Sequence, residues 1–419
     1  MASQGQSAAS IFDINLRPGP WVVLAVVVAI VIIGVPLAQA QTYTVLHTFT
    51  GGNDGAMPIA GLTMDAAGNF YGATYVGGTT NSGVVFKLTR AGLGWVLSPL
   101  YEFQGGEDGA GAAGGVTIGP DGALYGTTYE GGLLNCNGPC GIVYRLAPPP
   151  SACKSVSCPW TKTVLHQFGV SNGDGFQPLY GSPVFDHTGN LYGTTHLGGA
   201  YDRGTVYELT PSSGGWTENI LWNFTGGNDG GQPFSSLIFD GAGNLYGTAT
   251  EGGAEGAGAA FELSPADSEW SETVLFSFTF PGTGDPEGGL AWDAQGNLYG
   301  ATPNGGQYNY GTAFQVTPSG GWTYKQLEYF RCCGGPISTP TLDSAGNLYV
   351  SAAGTEGDGA IIKLTQSQGT WISTMLHQFQ GSDGAYPDGS VTLDGNGNIY
   401  GTTFEGGSDN QGVIFEITP

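Results

Sequence analysis

Short runs of alternating apolar and polar residues recur along the chain, rich in Val, Ile, Thr and aromatics and bounded by clusters of Gly, Asn and Asp. Such period-two alternation between turn formers predicts strands. One stretch spells the pattern out: residues 236–240, 244–248, 259–263 and 270–278 predict four consecutive strands, named a, b, c and d. The a-to-b turn reads Asp-x-x-Gly-Asn in six places, led by Asp65, Asp186, Asp240, Asp293, Asp343 and Asp394. Asp can bond the backbone of such a turn, and Gly or Asn can take positive φ.

The unit repeats seven times. GNFYG at 68, GALYG at 122, GNLYG at 189, 243 and 296, GNLYV at 346 and GNIYG at 397 align on Tyr71, Tyr125, Tyr192, Tyr246, Tyr299, Tyr349 and Tyr400. The mean spacing is about 55 residues, too long for a β-helix rung and suited to a four-stranded propeller blade. Seven such units fill the roughly 380 residues after Ala40. The first strand d (residues 43–49) precedes any a-b-c triplet, and the chain ends on strand c (413–418). The N-terminal strand is therefore expected to complete the last blade and leave no open edge. The fold expected is all-β, a seven-bladed β-propeller over residues 41–419. Gly-Thr after most repeat tyrosines suits strands crowded on both faces.

Gly193-Thr194-Thr195, Gly198-Gly199 and residues 204–211 (GTVYELTP) resemble the Gloeo/Verruco (GloVer) tandem-repeat family, and the likeness covers residues 42–419. The resemblance implies an exported bacterial protein with a propeller fold, placed at the surface or outside the cell by varied anchors. It implies no established activity or catalytic residue set. The sixth unit departs from the pattern at residues 350–353 (VSAA), with a shortened loop.

Composition narrows the class. Glycine, 76 of 419 residues, points to a turn-rich chain, while 40% hydrophobic residues supply a core and argue against disorder. A formal charge of −24 with only 10 Lys and Arg argues against nucleic acid and anionic lipid. It favours solubility, divalent cations and neutral or cationic ligands. Residues 21–38 are apolar throughout, and Ala38-Gln39-Ala40 offers a small-x-small cleavage pattern before Gln41. Residues 1–40 are expected to be a signal peptide or an N-terminal membrane anchor, with residues 21–38 the only membrane contact. The expected location is extracellular, periplasmic or at the cell surface, as a monomer.

Propeller geometry places the d-to-a and b-to-c loops on one face. The d-to-a loops carry Asp54, Asp108, Asp174, Asp229, Asp285 and Asp383. A carboxylate ring near a central channel would suit Ca²⁺ as a cofactor. Equally, Asp-Gly is a turn signal copied with the repeat. Strand b ends toward this face in Tyr75, Tyr129, His196 and Phe404, followed by Glu130, Glu251 and Glu405, while loop tips add Tyr201, Asp202, Arg203, Tyr308, Asn309 and Tyr310. Aromatic faces beside carboxylates suit sugar rings. The alternative is that they seal blade packing or are ordinary exposed tips.

His47, His166 and His377 share one register position with Tyr101, Trp222, Phe276 and Glu328, so packing is expected there rather than a three-histidine metal site. Trp95, Trp160, Trp216, Trp270, Trp322 and Trp371 open six strands d, where Gln41 stands in the seventh, and are expected to be framework. The spacing from Asp394 to Glu405 mimics a calcium loop, but Ile399 replaces its glycine and a strand follows. Cys136 with Cys140 and Cys153 with Cys158 are expected to form local disulfides on opposite faces, with Cys332-Cys333 a vicinal pair or reduced.

No P-loop, HExxH, GxSxG or Ser/His/Asp grouping is present. The basic residues without a counterpart in other units are Arg203, Arg331, His187 and His196. The leading expectation is an exported, non-enzymatic binding or surface-display module whose loop face contacts carbohydrate or a cell-envelope protein. A carbohydrate-active lyase or hydrolase using Arg203 or His196 is the second, and a Ca²⁺-stabilised scaffold the third.

Overall fold

Seven small antiparallel sheets share one plan. In the computed structural model, which describes residues 41–132, 140–150, 159–170, 173–266, 269–331, 334–353 and 357–419, blade 4 pairs Ile238–Phe239, Leu245–Glu251, Ala259–Ala266 and Glu269–Ser277 as strands a to d. Blades 1, 2, 3, 5 and 6 repeat this order, and blade 7 completes it with the N-terminal strand, Thr42–Thr48, alongside Val413–Thr418. The register runs from Thr42 opposite Thr418 to Thr48 opposite Val413, with one bulge. The seven-bladed propeller and its closing strand are thus as the repeat predicts. Residues 1–40 and Cys136, Cys153, Cys158, Cys332 and Cys333 lie outside the described residues; Cys140 is buried. Among the described residues no helix is long and apolar enough to cross a membrane.

The repeat motif is explained by its hydrogen bonds. Asp65 accepts the N–H groups of Ala67 and Asn69, the Asn69 amide and the Tyr71 hydroxyl. These donors hold its carboxyl below the usual range against the opposing effect of burial. The same set recurs around Asp240, Asp293, Asp343 and Asp394, which binds the latter into an ordinary blade turn. Six of the seven repeat tyrosines then meet the Trp opening strand d of the next blade, as in Tyr192–Trp270 and Tyr246–Trp322, at centroid separations of 6.5 and 6.0 Å; Tyr349 faces the closing strand, where Gln41 stands in place of that Trp.

The Gly-Thr pair has two separate tasks. Gly247 lies across from Phe261, and a Cβ there would stand 2.7 Å from the ring. Thr248 sends its hydroxyl to the carbonyl of Gly288 in the next blade, as Thr402 does to Ala60 across the closing seam. Seven apolar clusters fill the seven seams between blades. Phe70 and Phe86 of blade 1 share one of them with Tyr400 and Ile414 of blade 7. Burial of these rings on both faces of every sheet drives closure.

Candidate functional site

Each blade enters the ring centre through the segment before strand a. Four residues ahead of each strand a stand Ile59, Ala113, Tyr180, Phe234, Glu287, Ile337 and Asp388, one per blade. All but Ala113 line a cavity of about 190 Å³ floored by the Gly, Ser and Thr residues that follow them. Sevenfold backbone repetition therefore carries an unequal ring of side chains: two acids, two aromatics and three aliphatics.

The loops leading into this ring are riveted to neighbouring blades. Met57, Gln177, Gln232, Asp285 and Tyr386 all take left-handed conformations with φ of 51–58°. Each donates its N–H to the preceding blade, for example Gln177 to the Cys140 carbonyl at 2.8 Å and Tyr386 to Asp358 at 2.8 Å. The carbonyls of Met57, Gln177 and Tyr386 in turn accept the N–H groups of Tyr75, His196 and Phe404. Non-glycine residues in this region carry a backbone cost that recurs where side chains must be aimed.

Tyr180 and Phe234 have ring centroids 4.8 Å apart, and His196 meets Phe234 edge-on at 5.0 Å. Tyr75 and Tyr129 lie 6.5 Å apart. Burial first, then the negative charges of Asp388 and Glu287, push the Tyr180 hydroxyl up to about 12. Burial likewise drives both acids toward their neutral form. Glu287 is pushed up to about 7 with Asp285 adding to the effect, and Asp388 to about 7 with Glu287 and Glu405 adding. Two carboxyls that resist ionising together can donate as well as accept hydrogen bonds near neutrality. His196 is held down to about 4 by burial, so it is a neutral imidazole at ordinary pH. Its Nδ1 is buried with no hydrogen-bond partner.

Of the loop-face residues singled out in the sequence, Tyr75, Tyr129, His196 and Glu405 thus gather around the acidic and aromatic centre. Phe404 is half-buried and tied by its backbone to Tyr386. Tyr201 and Tyr308 remain on exposed tips, the latter under Arg331 at 5.5 Å. Tyr310 packs on the core between blades 5 and 6. Arg203 and Glu251 form an exposed ion pair at 2.7 Å across the seam of blades 3 and 4. Tyr180, Phe234, Glu287 and Asp388 were not singled out; their signal is variation at one register position within an otherwise repeated segment.

Asp285 stands in the segment entering the centre, two residues before Glu287, and accepts the Asn304 amide at 3.0 Å; the other five loop aspartates do not converge there. Asp54 caps its own loop through Thr50 and pairs with His47 at 3.1 Å; Asp383 bonds Gln380 N–H and pairs with His377 at 2.9 Å. Asp229 caps through Thr225, and Asp108 binds Gln104 N–H and Lys162. Asp174 accepts the N–H of Val170. Each carboxylate lies beside the outermost strand of a different blade, so turn formation accounts for their repetition. The three histidines pair with these aspartates as well as packing on Phe49, Phe168 and Phe379, a polar partnership that their aromatic counterparts concealed.

A model of the Gloeobacter/Verrucomicrobia repeat matches residues 34–158 and 138–349. No curated protein sequence matches the chain. Among solved structures, a Bacteroides uniformis protein assigned as a 6-phosphogluconolactonase is similar at 16% identity and TM-score 0.49, over 75% of this chain and 83% of that one. A Thermus thermophilus protein assigned as a glucose dehydrogenase is similar at 14% identity and TM-score 0.43, over 90% and 100%. A gluconolactonase from Xanthomonas campestris is similar at 14% identity and TM-score 0.35, over 56% and 70%.

Proposed function

The chain belongs to the Gloeobacter/Verrucomicrobia repeat family, and from that premise we propose an exported, non-enzymatic module that binds carbohydrate at the axial mouth of its propeller. The observation that carries this reading is the unequal axial ring. Tyr180 and Phe234 offer apolar ring faces, and Glu287 and Asp388 offer carboxyls within the same cavity. Sugars present C–H faces and hydroxyls together, which is the chemistry such a wall recognises. The charge of −24 supports a neutral or cationic glycan over an anionic one. The apolar residues 21–38 support export.

Retention on a panel of insoluble and arrayed glycans tests it. Tyr180→Ala and Phe234→Ala are each expected to lower affinity about tenfold, roughly 1.4 kcal/mol, with little change in melting temperature. Absence of binding across the panel, or equal retention by both variants, overturns the proposal.

A second reading, a glycoside hydrolase, rests on the raised carboxyls alone. Hydrolysis of a glycosidic bond uses two such groups, one protonated. Asp388→Asn would then abolish turnover while sparing retention; a protein that binds and releases glycans unchanged leaves the binding reading standing.

A further inference from the structure

At several seams the residue two places after the opening Trp position of strand d (Gln41 in blade 7) meets the preceding blade's strand d or the loop that follows it. Blade 2 places Lys162 here, bonded to Asp108 at 2.5 Å. Blade 7 places Tyr43, stacked on His377 beside Asp383. Blade 5 places Tyr324, stacked on Phe276 at 4.1 Å. Each of these seams is closed by an ammonium or by aromatic rings.

The seam of blades 2 and 3 is filled differently. Glu218 of blade 3 meets His166 of blade 2 and Asp174 of the following loop. His166 Nε2 lies 3.4 Å from Glu218 Oε1 and 3.6 Å from Asp174 Oδ1, and the three atoms lie within 4.8 Å of one another. All three atoms are buried, and none has a hydrogen-bond partner outside the cluster. The Asp174 side chain is only 1% exposed; its Oδ2 takes the N–H of Val170, which leaves Oδ1 turned into the cluster. The His166 ring is fixed edge-on to Phe168 at 4.8 Å. Two carboxyls brought together out of water need either a cation or a shared proton between them.

We propose that His166, Asp174 and Glu218 form a binding site for a divalent cation of the zinc class, stapling blade 2 to blade 3. Nitrogen and oxygen ligands at 2.0–2.2 Å around tetrahedral Zn²⁺ lie about 3.4 Å apart, the spacing that His166 already keeps from both carboxylates. The imidazole selects against Ca²⁺, which takes oxygen ligands in greater number. His166 and Glu218 keep side-chain exposures of 17% and 15%, so a water can supply the fourth ligand from the rim.

The purified protein, dialysed without reductant against Zn²⁺, Mn²⁺ or Ca²⁺ and then freed of excess ion, is analysed for bound metal and melting temperature. One equivalent of Zn²⁺ is expected to be retained, at least tenfold tighter than Mn²⁺ or Ca²⁺, with a melting temperature raised by several degrees. Glu218→Lys supplies the ammonium that Lys162 supplies one seam earlier, and His166→Phe supplies the ring that Phe276 supplies in blade 4. Both are expected to remain folded and to lose the equivalent of zinc and the thermal shift. Wild-type protein holding less than a tenth of an equivalent, or a preference for Ca²⁺, overturns the proposal. So does zinc retained by both variants, which would place the ion elsewhere, at the cysteines for instance. A proton shared by the carboxyls in place of a metal gives the first of these overturning results.

Discussion

Val350 stands directly across from Ile362 in blade 6, where the other six blades set glycine across from Phe or Tyr. Apolar volume has moved from one strand to its neighbour, and the sheet keeps its four strands. The departure that makes unit 6 look degenerate is a compensated exchange. Gly300→Val would thrust its side chain into Phe314, since a Cβ at Gly300 already stands 2.3 Å from that ring. It is expected to cost about 2–3 kcal/mol, and adding Phe314→Ile to recover most of this, giving a coupling of about 1–3 kcal/mol. Urea unfolding of the two singles and the double measures it; additive losses would sink the exchange.

Tyr43 lies on His377 with centroids 3.7 Å apart and planes 6° from parallel, and its hydroxyl donates to the Asp383 carbonyl at 2.6 Å. Tyr43→Ala is expected to cost about 2 kcal/mol, less than a fully buried ring because Tyr43 is only half-buried. Deleting residues 42–48 would uncover the edge of Val413–Thr418 and is expected to convert monomer to aggregate. Light scattering decides: a deletion product that stays monomeric and melts unchanged refutes the role of this strand.

Stability is expected to peak in mild acid. Glu272, Glu287 and Asp388 are all pushed up to about 7, chiefly by burial, with Asp229 acting on Glu272, Asp285 on Glu287, and Glu287 and Glu405 on Asp388. Their folded forms hold protons that the unfolded chain releases near pH 4 to 4.5. Stability from these groups is complete below that pH and lost as pH rises toward 7. The turn aspartates act oppositely. Asp65, Asp240, Asp293 and their counterparts sit below the usual value, so their stabilisation is present above about pH 4 and fades as pH falls through the folded values. Melting temperature should therefore be highest at about pH 4–5 and decline on both sides. Asp388→Asn should flatten the neutral limb and the exposed Glu255→Gln should not; a melting temperature climbing steadily to pH 8 contradicts the assignment.

The architecture was legible because each piece of the same physics is written in six of the seven units: Asp, Gly and Asn for one turn, Tyr for the next blade's Trp, Gly for a facing ring. Repetition also hid the chemistry. Tyr180, Phe234, Glu287 and Asp388 occupy one position in units more than fifty residues apart, and no local motif joins them. The recurring Asp-Gly points to a shared ligand site, whereas Asp54, Asp229 and Asp383 serve their own loops, and Asp108 and Asp174 also face the next blade. His166 looked like packing when its register was averaged with Tyr101 and Phe276. Its partners Asp174 and Glu218 come from a loop and from the next blade, a proximity that only closure of the seam creates.

His196 offers the sharpest separation of binding from stability. Other blades place Tyr75, Tyr129 and Phe404 at its position, so a phenyl ring is compatible with the local backbone. The imidazole instead leaves Nδ1 buried and unpaired beside Phe234. An orphan polar atom costs stability, and native proteins retain such costs where a ligand recovers them. His196→Phe removes the orphan and is expected to leave the melting temperature equal or higher while lowering glycan affinity about tenfold. Because burial holds the imidazole down to about 4, it stays neutral from pH 5 to 8, and any pH dependence of affinity in that range should survive in the variant. That dependence should weaken in Asp388→Asn and vanish when Glu287→Gln is added, since burial pushes both carboxyls up to about 7. Parallel binding and melting curves across this range settle the matter: a His196→Phe protein that binds normally but melts early would make His196 a packing residue.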